Sequence, residues 1–243
     1  FTDTILFTSL RSAEMVKHAM NTFLATTITY ANEIARLCEQ TGADAREVER
    51  ALRCDPRVGA KAYVRAGPAF AGGTLARDVV YLANIAAEKK LDLPLLGHIV
   101  ASNNAHRLWT YRRLVDLFGD RLGGMRVAVL GLAYKAGTSA LRRSQALELI
   151  RRLKPHGTAI SAFDPKVRAL EGAEFAHVRV CADLDSALEG ADALALMTDW
   201  PEFKALDAAR VKRLMRSPCV IDAFGMVESA MRSVPYYAVG LAR

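Results

Sequence analysis

Near the start of the chain, a lysine and an asparagine lie four residues apart, a spacing at which their side chains could act together in catalysis. Lys17 and Asn21 fall in a segment whose apolar residues recur at helical spacing, so both side chains project from one face of a helix. A lysine that loses hydration among apolar neighbours can act as a base or hold an oxyanion. The pair alone does not establish a site, because a lysine on a helix usually lies at the surface.

A glycine-rich loop is the more specific candidate. Residues 66–78 read AGPAFAGGTLARD, and such a run of small residues lets a ligand approach the backbone closely. Phe70, Gly72 and Gly73 are therefore candidate substrate-binding residues. The loop leads to Asp78 at the start of a helix. The exposed backbone amides there would stabilise its carboxylate. A plain turn between helices is the alternative.

Three cations accompany these candidates. Arg57 precedes the loop, whereas Lys135 lies within a turn, residues 129–138, that follows a strand-like run, and Arg142 follows that turn. Such side chains suit phosphate, although each can equally be solvated. The turn does not fulfil the G-x-G-x-x-G spacing, so the standard dinucleotide fingerprint is not present there. Asp164, after the next strand, is either a ribose contact or a simple turn residue.

The elements that must position these residues fall into two parts. Helical periodicity dominates residues 12–118, interrupted by a structured loop over residues 54–77. Residues 126–239 instead alternate short apolar strands with helices. The sequence therefore predicts an α/β protein in which an all-helical domain, residues 1–120, precedes a Rossmann-like domain with a doubly wound parallel sheet, residues 121–243.

Composition narrows the class of protein. None of the four cysteines forms a Cys-x-x-Cys pair or stands at zinc-ligand spacing, which predicts no metal site and reduced thiols in the cytoplasm. No run approaches the roughly 18 apolar residues of a membrane helix, and no signal peptide is evident, so no membrane partner is expected. The net charge of +7 would suit nucleic acid or a phosphorylated metabolite. Scattered arginine pairs without interleaved aromatics argue against nucleic acid.

Several separated motifs together resemble the UDP-glucose/GDP-mannose dehydrogenase family. Residues 12–26 (SAEMVKHAMNTFLAT), 131–135 (GLAYK), 163–165 (FDP), 198–200 (TDW) and 220–222 (VID) follow the order of that family. The resemblance implies an NAD-dependent oxidoreductase that acts on the C6 alcohol of a UDP- or GDP-sugar, and a homodimer formed through the first long helix. It also implies that the amino-terminal NAD-binding domain of the family is absent from this chain, which begins at once with an organised segment.

The resemblance assigns roles and exposes a departure. It implies that Lys17, Asn21 and Asp78 surround the reacting carbon of the sugar. Thr74 occupies the position of the catalytic cysteine. Arg77 replaces a lysine of the family, and the resemblance implies that it makes only a weak contact with the cofactor. Because a hydroxyl is far less acidic than a thiol, the second of the two oxidations is expected to be impaired. A catalytically inactive homologue that binds nucleotide sugar or acts as an oligomeric scaffold is the alternative.

The last motif of the chain also departs from the family pattern. In the Asp-Gly-Arg-Asn pattern of the family, Asp222 is retained, but Phe224 and Gly225 stand in place of the arginine and the asparagine. The change weakens that part of the implied substrate site. Cys54 lies twenty residues before Thr74 and is no obvious replacement for the missing nucleophile.

Overall fold

The computed structural model describes residues 5–71 and 73–241. Its first half contains α1 (Leu10–Thr41), α2 (Ala45–Cys54), α3 (Thr74–Glu88), α4 (Pro94–Arg107) and α5 (Trp109–Phe118). The second half contains β1 (Arg126–Leu130), α6 (Gln145–Leu153), β2 (Ala159–Phe163), β3 (Val178–Val180), α7 (Leu184–Leu188), β4 (Ala193–Leu196), α8 (Ala208–Leu214), β5 (Val220–Asp222) and β6 (Tyr236–Tyr237). Within these ranges, no helix combines the length and apolar character that crossing a membrane requires.

Helix α1 begins and ends at residues suited to those positions. The Ser9 hydroxyl accepts a hydrogen bond from the N–H of Ser12, which satisfies one of the free amides of the first turn. Gly42 ends the helix with a φ of 79°, a left-handed conformation that glycine adopts without strain. The helix packs against α3 and α4 through the buried side chains of Ala25, Val79 and Ile99.

Two helix boundaries differ from the sequence prediction. Helices were expected to resume near Asp78, but α3 already begins at Thr74, because the small residues of the loop carry no periodicity from which its start can be read. The helical pattern that follows Pro94 also predicts one helix from that residue to about Phe118. The chain instead breaks at Leu108, where ψ is 7°, and this break separates α4 from α5.

The six strands form one sheet in which every pair is parallel, in the order β3-β2-β1-β4-β5-β6. Buried residues fill β1, β4 and β5 almost completely, as expected for strands covered on both faces. The predicted α/β class with a doubly wound parallel sheet is therefore confirmed. Strand β3 was not predicted, because its three residues are half-buried or exposed and give no apolar run. The strand order reverses between β1 and β4, where ligands commonly bind at the carboxyl ends of the strands.

A buried carboxylate joins the helical half to the sheet half. Glu39 on α1 accepts hydrogen bonds from Trp109 Nε1 at 2.9 Å, from the Arg113 guanidinium at 2.6 Å and from the N–H of Gly240 at 2.9 Å. Ala35 and Trp109 belong to the same apolar core as the strands. Because the core continues across residue 120, the division into two domains at that point stays a prediction.

The described thiols are free. Cys38, Cys181 and Cys219 are buried, whereas Cys54 is exposed at the end of α2. Burial raises the pKa of the Cys219 thiol to about 11, so this side chain stays protonated at neutral pH. The three buried cysteines pack in the apolar core.

Candidate active site

Asp78 is the centre of a polar cluster between α1 and α3. The side-chain amide of Asn21 donates a hydrogen bond to Asp78 Oδ2, and Lys17 Nζ lies 4.0 Å from the same oxygen. His18 Nδ1 and Arg77 Nε lie 3.5 and 3.7 Å from Oδ1. The hydrogen bond from Asn21 lowers the pKa of the Asp78 carboxyl, attraction to Lys17, His18 and Arg77 lowers it further, and burial opposes the shift. Asp78 is therefore a buried anion at neutral pH.

Lys17 stands at the open side of this cluster. Its side chain is 61% exposed, in agreement with the surface position that is usual for a lysine on a helix. The reason is geometric, because the apolar residues of that part of α1 point away from the protein. An ammonium group that faces both solvent and a buried carboxylate can still hold a substrate oxygen on which negative charge develops.

His18 belongs to the cluster and was not singled out from the sequence. Its ring stacks against Tyr81 of α3, with 4.4 Å between the ring centroids, and its Nδ1 faces Asp78. The available signal was weak, because neighbouring residues on a helix usually face different directions. Only the packing of α3 against α1 brings His18 and Lys17 to the same carboxylate.

Thr74 is the first residue of α3 and is exposed. It lies one helical turn before Asp78, so both residues share a face of α3. Gly73, just before it, is packed against Arg143, since a Cβ at Gly73 would lie 2.6 Å from a nitrogen of that guanidinium. Arg143 has a φ of 65°, which is uncommon for a residue other than glycine. The structure thus brings Arg143, which was not predicted, to the loop.

Three buried polar side chains hold the glycine-rich loop. Asn32 accepts a hydrogen bond from the N–H of Gly67 at 2.9 Å, and His106 Nε2 lies 2.8 Å from the carbonyl oxygen of the same residue. Asn103 bonds both the N–H and the carbonyl of Phe70, at 2.9 and 3.1 Å. Because the loop carbonyl can only accept, Nε2 of His106 carries the proton and donates it. Burial lowers the pKa of His106 to about 4, which keeps the ring neutral.

A cleft of about 780 Å³ lies between this loop and the segments that follow β4 and β5. Its lining includes three aromatic side chains, three cationic side chains and one carboxylate: Tyr63, Phe70, Phe224, Arg53, Arg65, Lys204 and Asp199. A volume of several hundred Å³ with mostly apolar walls and a few charges is typical of a small-molecule site. Leu75 also lines the cleft, one turn of α3 before Asp78.

The predicted binding residues are only partly brought together. Phe70 lines the cleft. Arg57 is 89% exposed in an ion pair with a neighbouring aspartate, and Lys135 is exposed with its ammonium 5.6 Å from a tyrosine ring. Arg142 lines a different cleft, and Gly72 lies outside the described residues. The roles of these residues stay predictions.

Asp164 is fully buried at the end of β2. Its Oδ2 accepts hydrogen bonds from the N–H groups of Leu132 and Ala133, at 2.7 and 2.9 Å, and from Trp200 Nε1 at 3.1 Å, while its Oδ1 accepts two further amides. The carboxylate therefore occupies the amides that follow β1, which in dinucleotide-binding sheets face a phosphate. Of the two alternatives for Asp164, the structure supports the turn residue.

The described residues show no free amides for a dinucleotide after β1 and no ligand cluster for a metal. The amides after β1 are taken by Asp164, and Arg77, the one predicted cofactor contact, is 67% exposed beside Asp78. In the part of the chain that the structure describes, no group of three or more His, Cys, Asp or Glu side chains is arranged to hold a metal ion.

Asp222 shapes one wall of the cleft. It accepts hydrogen bonds from the N–H groups of Phe224, Met226 and Val227, at 3.0, 2.6 and 3.0 Å, and from the hydroxyl of Tyr236 at 2.8 Å. Burial raises the pKa of Tyr236, and the adjacent Asp222 raises it further, so this hydroxyl remains a donor. The carboxylate thus fixes the backbone that presents the Phe224 side chain to the cleft.

Comparison with known proteins assigns the family. Residues 11–105 match the central domain of the UDP-glucose/GDP-mannose dehydrogenase family, and residues 128–229 match its UDP binding domain. The chain belongs to the UDP-glucose/GDP-mannose dehydrogenase family. This family consists of NAD-dependent dehydrogenases, and the resemblance seen in the sequence is confirmed.

The relatives are enzymes about twice as long as the matched region. The UDP-glucose 6-dehydrogenase of Rickettsia bellii is 35% identical over 97% of this chain and 55% of its own length, and UDP-glucose 6-dehydrogenase TuaD of Bacillus subtilis is 33% identical over 97% and 52%. Among solved structures, a UDP-glucose dehydrogenase from Pyrobaculum islandicum matches with a TM-score of 0.76 and 29% identity over 96% of this chain and 52% of that one. The chain spans about half the length of the relatives it matches.

Proposed function

We propose that this chain binds a UDP- or GDP-sugar and positions its C6 alcohol for oxidation, and that the first oxidation proceeds whereas the second is impaired. The observation that carries the proposal is the buried anion Asp78, held by Asn21 and facing Lys17 at 4.0 Å, one helical turn from Thr74. The cleft walled by the glycine-rich loop lies next to that turn. The names of the relatives favour UDP-glucose as the substrate.

The cleft suits the nucleotide diphosphate. The rings of Tyr63, Phe70 and Phe224 offer faces against which a base or a sugar can pack. Arg65 and Lys204 supply the positive charge that a diphosphate requires. Buried side chains hold the loop backbone in place, so the binding surface is formed before the ligand arrives. This limits the conformational entropy lost on binding.

Lys17 and Asp78 have different roles at the reacting carbon. The lowered pKa of Asp78 makes it a weak base, so its role is to hold Asn21 and Lys17 in place. Lys17 then holds the alcohol oxygen, whose proton passes to water at the exposed side of the cluster, while negative charge develops on that oxygen. The amides after β1 offer no site for NAD, which the family uses as hydride acceptor, so the proposal for this chain is limited to binding, orientation and the handling of charge and proton.

Thr74 determines how far the reaction goes. In the family, a thiolate traps the aldehyde formed by the first oxidation so that a second hydride can leave. A threonine hydroxyl ionises far less readily than a thiol, and the aldehyde is therefore not trapped at a comparable rate. Cys54 is exposed at the end of α2 and is not among the residues lining the cleft, so it does not replace the lost nucleophile.

The stoichiometry of NADH tests this proposal. The complete gene product is supplied with UDP-glucose and NAD, and both the sugar product and NADH are measured. We expect an aldehyde with one NADH per sugar. Thr74→Cys is expected to form the acid with two NADH per sugar, whereas the matched control Thr74→Ser is expected to resemble the unaltered protein. Acid formation by the unaltered protein would contradict the role given to Thr74.

A nucleotide-sugar binder without turnover is the second candidate. Phe224 lines the cleft where the family has an arginine, and Thr74 stands where it has the nucleophile. This candidate predicts that UDP-glucose binds to the protein and that no NADH forms, with Thr74→Cys or without it. The same assay therefore separates the two.

We further propose that two copies associate through α1. Apolar side chains at helical spacing lie exposed along one face of the helix: Val16, Met20, Phe23, Tyr30 and Leu37, with exposures of 51, 62, 66, 48 and 61%. Four of them recur every seven residues, which is the spacing of a helix that packs along another helix. A second copy of α1 presents the same row and would cover it.

A further inference from the structure

His18 is a half-buried histidine of α1 that faces the carboxylate of Asp78. Its side chain is 21% exposed, and its Nδ1 is buried 3.5 Å from Asp78 Oδ1. Solvent therefore reaches the ring on the side away from Nδ1. Within the described part of the chain Nδ1 makes no hydrogen bond, so its contact with Asp78 decides which ring nitrogen carries the proton.

Two helices fix the position of the ring. Tyr81 of α3 stacks against it, with 4.4 Å between the ring centroids. Tyr81 lies three residues after Asp78, so both side chains come from the same face of α3. On α1, Lys17 directly precedes His18 and approaches the other oxygen of the same carboxylate, at 4.0 Å. His18 is thus held next to the place where Lys17 is proposed to hold the sugar alcohol.

The charge of Asp78 selects the tautomer of His18. The lowered pKa of Asp78 keeps it an anion at neutral pH, and an anion attracts an N–H group and repels a lone pair. In a neutral imidazole only one nitrogen carries a proton. Nδ1 therefore carries it, and Nε2 keeps a free lone pair. Lys17 and Arg77 contact the same carboxylate, at 4.0 and 3.7 Å, and offset part of its charge, whereas Tyr81 contributes the face of its ring.

We infer that His18 accepts the proton that leaves the sugar alcohol, an inference that rests on the proposed function. The O–H bond of the C6 alcohol breaks at Lys17, and the proton moves through the water at the exposed side of the cluster to Nε2. The C–H bond of the same carbon also breaks, and its electron pair leaves with the hydride to the NAD that the proposed function requires. Asp78 orients the ring and stabilises the imidazolium through the N–H at Nδ1.

Single-turnover formation of NADH, with the complete gene product in excess over UDP-glucose, tests the inference. A positioned base typically contributes about 10²–10⁴-fold to a rate, so we expect His18→Gln to lower the rate at least tenfold. The affinity for UDP-glucose should stay within twofold, because His18 is not among the residues that line the cleft beside the glycine-rich loop. In the unaltered protein the rate should fall as acid protonates the imidazole, and this fall should be absent from His18→Gln. His98→Gln, exposed on α4, is the matched control and should change neither quantity.

A second substitution separates proton transfer from positioning. The side-chain amide in His18→Asn can donate a hydrogen bond to Asp78 in place of Nδ1, but it cannot accept a proton as a base. We expect His18→Asn to be as slow as His18→Gln, and we expect added imidazole to restore part of the rate of His18→Ala. Nitrogen NMR of the unaltered protein above neutral pH should show the ring proton on Nδ1.

Three results would overturn the inference and leave the proposed function standing. One is NADH formation by His18→Gln at the rate of the unaltered protein. Another is full activity of His18→Asn, which would give His18 a positioning role alone. The third is a ring proton on Nε2.

Absence of NADH formation by the unaltered protein is a different result, because it would contradict the proposed function, and the inference would fail with it. Thermal unfolding of each variant verifies that it is folded. His18→Asn carries the test if His18→Gln does not fold.

Discussion

The side-chain amide of Asn21 on α1 donates a hydrogen bond to the buried carboxylate of Asp78 on α3. This contact joins the long first helix to the helix that follows the glycine-rich loop. It keeps a negative charge inside the protein, with Lys17 on the solvent side, at the place where a sugar alcohol would react. Packing and proposed chemistry therefore depend on the same pair of residues.

Removal of that hydrogen bond should destabilise the protein. Asn21→Ala leaves a buried carboxylate without its main donor, and we expect the free energy of unfolding in urea to fall by about 1–3 kcal/mol. Asn104→Ala makes the same change at an exposed position of α4 and is the matched control. A loss in Asn21→Ala no larger than in Asn104→Ala would show that the contact contributes nothing to stability.

Protonation of Asp78 should also lower the free energy of unfolding. Because its pKa in the folded protein is lowered, its contribution to stability is present above the pKa of the unfolded chain, about 4, and is lost as the pH falls below that value. Asn21→Ala should raise the folded-state pKa, so in the variant this loss shrinks. Urea unfolding of both proteins between pH 6 and pH 3 measures the difference, and parallel curves would contradict the assignment.

His106 should make the loop sensitive to mild acid. Its folded-state pKa of about 4 lies below the ordinary value of 6.5, so the unfolded chain takes up the proton first. The stabilisation is complete above pH 6.5 and is lost as the pH falls toward 4, by about 3 kcal/mol in total. His106→Gln should flatten the dependence of stability on pH in this window. His98→Gln, exposed on the same helix, should leave the dependence unchanged, and an equal effect of both substitutions would refute the role of His106.

A charge on the exposed face of α1 should separate the proposed dimer. Phe23→Glu places a carboxylate in the middle of the apolar row, where burial against a second copy would be costly. We expect light scattering after size exclusion to give the mass of two chains for the unaltered protein and of one chain for the variant. Leu95→Glu, at an apolar residue of α4 that is 63% exposed, is the control and should leave the dimer intact. A monomeric unaltered protein would contradict the proposal.

The regular elements could be predicted because their signals are local. Apolar residues at helical spacing located α1, and short apolar runs located the inner strands. Strand β3 and the break at Leu108 were missed, because the first is too short and too exposed to show a pattern and the second lies within a continuous helical pattern. Both are decided by the packing of distant segments rather than by their own residues.

The polar cluster around Asp78 was predictable where one helix carries two of its members, and not where tertiary packing selects them. Lys17 and Asn21 were found from their spacing. His106 and Arg143 were not, since nothing in their neighbourhood shows that they will reach Gly67 and Gly73. The roles of Asp164 and Asp222 depend on which amides lie opposite them, and only the folded structure supplies that information.

The most direct test of the account is a calorimetric titration of the protein with UDP-glucose, because every later step depends on the cleft binding a nucleotide sugar. We predict saturable binding with one sugar per chain, weakened at least tenfold by Arg65→Ala in the cleft and unchanged by Arg50→Ala, which removes an exposed arginine of α2 outside the cleft. No binding to the unaltered protein, or binding that Arg65→Ala leaves unchanged, would contradict the account.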